Sequence, residues 1–65
     1  MNLTKSFSLS LAEAGKTQKW LAEKLNRSSV QITRWKKANN IRTADLQLVA
    51  DALNIKPSEF LALGE

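Results

Sequence analysis

The sequence predicts an all-α domain of five short helices, and three observations carry that prediction. Apolar residues recur three and four positions apart through most of the chain. Residues that start or stop helices, among them Gly15, Asn26, Ser28, Thr43, Asn54 and Pro57, fall between the apolar stretches. Nothing after Pro57 reads as strand, so helices packed on helices are the consistent architecture. With 65 residues there is room for one domain, read as spanning 1–65, with a thin core.

The first element is ambiguous in pattern. Ser6-Phe7-Ser8-Leu9-Ser10-Leu11 alternates polar and apolar as a strand does. Leu3, Phe7, Leu11 and Ala14 nevertheless share one helical face, and Leu11-Ala12-Glu13-Ala14 favours helix. A helix from about Thr4 to Ala14, stopped by Gly15, is the expectation. Thr17 is placed to cap a second helix ending near Leu25, with Leu21, Ala22 and Leu25 inward. Asn26 tolerates the left-handed conformation that ends it. Ser28 and Gln31 form a Ser-x-x-Gln capping box for a third helix, with Ile32 and Trp35 inward and Ala38-Asn39-Asn40 closing it. Thr43 is expected to cap a fourth helix to about Leu53, with Leu46, Val49, Ala50 and Leu53 at helical spacing and Asn54 beyond its end. Pro57 suits the first position of a fifth helix, which packs Phe60, Leu61 and Leu63 inward until Gly64 stops it.

Composition narrows the function. The chain has no cysteine and no histidine, so thiolate sites, disulfides, the commonest metal ligand and the commonest general base are missing. There is no glycine-rich phosphate loop and no paired carboxylates. An enzyme is therefore disfavoured, and no catalytic residue, metal, cofactor or small-molecule ligand is expected. No apolar run approaches a membrane span, and Met1 to Lys5 lacks the apolar core of a signal peptide. The expected setting is cytoplasmic, at the nucleoid.

Charge is distributed unevenly along a chain of net charge +4. Lys16, Lys19, Lys24, Arg27, Arg34, Lys36, Lys37 and Arg42 face a single acid, Glu23, over residues 16–42. From Thr43 onward Lys56 is outnumbered by Asp45, Asp51, Glu59 and Glu65. One basic surface and one acidic end suit contact with a polyanion; a merely solvated lysine-rich face is the rival reading. Only Asn26-Arg27-Ser28 joins helices two and three, which forces a steep crossing, and the small Ala22 lets the backbones approach. The segment Thr17–Lys37 thus reads as a helix-turn-helix, whose second helix fits the DNA major groove.

At these residues the sequence resembles the phage repressor and Cro-type helix-turn-helix family, also called XRE. The match is Thr17-Gln18-x-x-Leu21-Ala22-x-x-Leu25, then Ser28, Ile32, Arg34 and Trp35, with Leu46-x-x-Val49-Ala50-x-x-Leu53-x-Ile55 and Phe60-Leu61 following. It covers about Thr17 to Leu63. The serine-rich first helix matches poorly, and Asn26-Arg27 stands where the family has Gly and a small apolar residue. The resemblance implies a lambda-repressor-like domain that regulates transcription by binding double-stranded DNA in sequence-specific fashion. Ser29, Val30 and Arg34 take its base-reading positions, with Gln31 and Thr33 adjacent. Arg34 suits guanine O6 and N7, and Val30 a thymine methyl. Gln18 and Ser28 take phosphate-contacting positions, Lys36, Lys37, Asn39, Asn40 and Arg42 follow the recognition helix and position the backbone, and Arg27, which loses the family's core contact, is expected to add a phosphate contact. A Cro-like or repressor-like protein of a phage, prophage or mobile element is the expectation, acting as a homodimer on a near-palindromic operator.

Several of these residues have a plainer reading. Gln31 suffices as a cap, Val30 as an inward packer, Lys36 and Lys37 as solvated lysines, and Gln18 as an exposed first-turn residue. Trp20 either fills a gap beneath helix one or belongs to an interface, where Trp is enriched. A protein-interaction module of the same fold, an antitoxin or adaptor, is the alternative function.

Overall fold

Local capping decides where the helices begin in the computed structural model, which describes residues 2–65. The elements are α1 (Leu3–Ala14), α2 (Gln18–Leu25), α3 (Ser29–Ala38), α4 (Thr43–Leu53) and α5 (Pro57–Ala62), and no strand occurs among the described residues. Asn2, Thr17 and Ser28 each turn a side-chain oxygen back onto the first turn, accepting from the N–H groups of Lys5, Trp20 and Gln31. At α5 the Lys56 N–H donates to the Glu59 carboxylate at 3.2 Å. The exits are equally specific: Gly15, Asn26, Asn39 and Asn54 all take the left-handed conformation, at φ 68°, 55°, 51° and 58°.

The apolar stripes meet in one core. Leu3, Phe7 and Leu11 of α1, Leu21 and Ala22 of α2, Ile32 and Trp35 of α3, Val49 and Leu53 of α4 and Phe60 of α5 are buried together. Phe7 is the hub. Its ring stacks on Trp35 with centroids 6.3 Å apart and meets Phe60 edge-on at 5.0 Å. Phe7 therefore ties α3 to α1 and α5, and the helix that carries Arg34 is anchored from behind by Ile32 and Trp35.

Four local expectations are corrected. Ala14 is exposed; the inward face of α1 is completed by Ser6 and Ser10, small residues that let neighbours approach. The Ser10 hydroxyl donates to the Phe7 carbonyl at 3.2 Å, whereas the buried Ser6 Oγ has no partner among the described residues. Thr43 does not cap α4. Arg42 occupies the cap position with no side-chain hydrogen bond, and Thr43 is the first helical residue. The physical reason lies in the flanking apolar residues: with Arg42 as cap, Ile41 and Leu46 occupy the two positions of a hydrophobic staple, and both pack against the core. The Ser28–Gln31 capping box forms only by half, through the Gln31 N–H and Ser28 Oγ at 3.2 Å. Gly64, finally, does not end α5 by a left-handed turn. It is buried where the chain closes on α1, and a Cβ there would run into the Asn2 carbonyl and the Ser6 hydroxyl.

Candidate nucleic-acid interface

The turn between α2 and α3 is built by its backbone. Asn26 sits at φ 55° and ψ 41°, and its N–H donates to the Glu23 carbonyl at 3.1 Å. The Arg27 N–H donates to the Ala22 carbonyl at 2.9 Å. These bonds satisfy the last carbonyls of α2 and reverse the chain within three residues. Asn26 thus does what glycine does elsewhere, because its short side chain tolerates αL. Ala22 is 5% exposed and Leu21 and Ile32 are fully buried, so the crossing is closely packed.

Helix periodicity then divides α3 into four strips. Ile32 and Trp35 face the core. Val30, Arg34 and Lys37 form the outermost strip, all exposed, with Val30 58% exposed. The inward alternative for Val30 is thereby excluded; an isopropyl group held out in water at the centre of a basic face has lost its packing role. Ser29, Thr33 and Lys36 make the strip beside α2. Gln31, half-buried, lies on the strip beside α4.

Gln18 organises the α2 side. Its Nε2 lies 3.1 Å from the Ser29 carbonyl, 3.2 Å from Ser29 Oγ and 3.1 Å from Thr33 Oγ1. Its Oε1 accepts from the Lys36 ammonium at 2.8 Å. The amide has one consistent orientation here: an ammonium only donates and a backbone carbonyl only accepts, so the oxygen must face Lys36 and the NH2 must face Ser29. Thr33 Oγ1 also donates to the Ser29 carbonyl at 3.1 Å. Gln18, expected at phosphate, therefore bridges α2 to three residues of α3, and half-buried Lys36 is held by it rather than standing free in solvent.

The other expected phosphate contacts are scattered in role. Ser28 caps α3. Asn39 ends α3, and its side-chain oxygen accepts the Leu3 N–H at 2.8 Å, so it also holds the start of α1. Lys37, Asn40 and Arg42 are exposed. Arg27 approaches Asp45 of α4 at 3.8 Å, the one ion pair between side chains among the described residues. That carboxylate was invisible to the sequence reading, because eighteen positions of chain separate it from Arg27 and only the fold brings α4 beside the turn. Together Arg27, Gln31, Asn40, Arg42 and Asp45 border an open groove of about 390 Å³ on the α4 side of α3. Trp20 is half-buried, packed on the core edge, with the Lys16 ammonium 5.2 Å from its ring centre.

What this arrangement offers is a protruding helix with a basic and apolar outer strip, flanked by hydroxyls, amides and cations. No helix among the described residues is long and apolar enough to cross a membrane. A family model described as the Cro/C1-type HTH DNA-binding domain matches residues 8–64, a span that includes most of α1 as well as all the later helices. No curated protein and no solved structure matches the chain.

Proposed function

The chain belongs to the Cro/C1-type helix-turn-helix DNA-binding family, and from that premise we propose that it is a sequence-specific regulator that lays α3 in the DNA major groove. The observation that carries this reading is the exposed strip Val30, Arg34 and Lys37, backed by Ile32 and Trp35 in the core. An α-helix presented side-on fits the groove, where each base pair has its own pattern of donors, acceptors and methyl groups. Arg34 donates two hydrogen bonds to guanine O6 and N7. Val30 packs on a thymine methyl. Ser29 contributes a less discriminating hydroxyl from the strip beside α2.

Lys37, Asn40 and Arg42 follow the recognition helix and engage phosphates, which fixes register and supplies salt-dependent affinity without sequence choice. Gln18 acts behind the reading face by holding Ser29, Thr33 and Lys36 in place. One reading helix with a single strong base contact recognises few base pairs. Two copies on half-sites one helical turn apart, about 34–36 Å, read a near-palindrome and double the contacts. Such binding across a promoter excludes polymerase, which is the mode of a Cro-like or repressor-like protein of a phage, prophage or mobile element.

Selection of bound sequences from a random duplex pool tests the reading. The expected outcome is an enriched near-palindrome with a guanine in each half-site. A pool that binds with no sequence enriched would leave only non-specific attraction and refute sequence reading by α3.

A further inference from the structure

The basic face carries one carboxylate that the fold adds to it. Asp45 stands in the first turn of α4 and approaches Arg27 at the groove, with Oδ1 3.8 Å from Nη2. The two partners differ in freedom. Asp45 is on a helix and its side chain is 19% exposed; Arg27 lies in the non-helical turn and its side chain is 46% exposed. The Arg27 backbone is fixed by its bond to Ala22, but the long side chain above it is held by a single contact at the far end of ion-pair range. The carboxylate is the one partner the structure gives the guanidinium.

We propose that Asp45 withholds Arg27 from the nucleic-acid backbone, so that the pair limits sequence-independent affinity; the proposal rests on the duplex-binding reading above. A guanidinium beside a carboxylate presents a small dipole, not a unit charge, to a phosphate farther away than the pair's own length. Arg27 thus adds little long-range attraction while paired. Asp45 also lines the same groove as Arg42 and Asn40, the two residues proposed to follow the phosphates. Lowering the backbone term leaves base contacts from Arg34 and Val30 a larger share of the total, which helps a domain with a thin reading head discriminate its site from bulk DNA.

The test is a salt series of binding to one random-sequence duplex, by wild type, Asp45→Asn, Arg27→Ala and the double variant. Asparagine keeps the shape of aspartate, and helical content by circular dichroism confirms that each variant is folded. The expected result is tighter binding by Asp45→Asn, with a salt slope steeper by about one counterion, equivalent to an extra factor of about three between 50 and 200 mM salt. Arg27→Ala alone weakens binding and flattens the salt slope by about one counterion, because it leaves the Asp45 carboxylate unpaired beside the phosphates, and the double variant, which removes both charges, returns to the wild-type curve. A gain in Asp45→Asn that survives in the double variant overturns the proposal, because Asp45 would then act on phosphates directly. Weaker binding by Asp45→Asn overturns it too, because the carboxylate would then be aiming Arg27 at phosphate. Binding by wild type with no gain in Asp45→Asn refutes the pair's role alone; no binding by either protein refutes the duplex-binding reading together with it.

Discussion

The two flanks of α3 are held in opposite ways. Beside α2, the Gln18 side chain touches Ser29, Thr33 and Lys36 at 2.8–3.2 Å, and Leu21 and Ile32 are both buried in the core beneath. Beside α4, a groove lies open and a single loose ion pair borders it. The contrast separates two tasks. The angle between α2 and α3 must be fixed before the helix meets a ligand, since any ordering done on binding subtracts from affinity. In the proposed docking the α4 flank lies toward the phosphates, and it keeps side chains that can still choose a partner.

Variants at each place break or sharpen that contrast. Trp35→Ala has the largest expected effect, because it removes the ring on which Phe7 stacks and loosens both flanks together. A buried aromatic truncated to alanine costs about 3–5 kcal/mol, comparable with the whole stability of about 3–10 kcal/mol expected for a chain this size. Urea denaturation should show a midpoint far below that of wild type; a midpoint near that of wild type would deny Trp35 its anchoring role. Gln18→Ala is intermediate. Its partners are partly exposed, so the stability loss is about 1 kcal/mol, while duplex binding weakens through a less fixed α3. If stability falls and binding does not, Gln18 belongs to folding alone. Asp45→Asn is smallest. The Arg27 partner is nearly half exposed and the contact is long, so stability falls by no more than about 1 kcal/mol, part of it from the lost carboxylate at the α4 N-terminus. A larger loss in thermal melts would make the pair a structural fixture and close the α4 flank.

What could be read in advance follows the range of the interaction. Gly15, Asn26 and Asn54 were identifiable as helix ends because αL tolerance is a property of the residue itself. Ile32 and Trp35 were identifiable as inward by spacing, and the turn at Asn26-Arg27-Ser28 by its length. Thr43 misled because cap preference is a local statistic, and here the staple positions of Ile41 and Leu46 set the start of α4 one residue earlier. The serine-rich strip of α1 looks strand-like because Ser6 and Ser10 are polar, yet both are buried, and the small size of Ser6 suits it to a close seam with the buried Gly64. The Asn39–Leu3, Gln18–Lys36 and Arg27–Asp45 contacts join distant segments, and no periodicity records them. At the candidate interface Ser29, Val30 and Arg34 are exposed, whereas Gln31 and Thr33, named beside them, are half-buried. The sequence could not say which polar neighbours were already engaged.

The central claim is that Arg34 reads a base while Lys37, on the same strip, meets only phosphate. The direct measurement compares Arg34→Ala and Lys37→Ala on the selected site, on that site with its guanine replaced, and on random duplex, each across a salt series. Arg34→Ala should lose about 1–3 kcal/mol on the selected site and lose its preference at that base pair. Lys37→Ala should weaken all three duplexes by the same factor and lower the salt slope by about one. Two variants that weaken all three duplexes alike would contradict the assignment of Arg34 and leave α3 without its strongest reader.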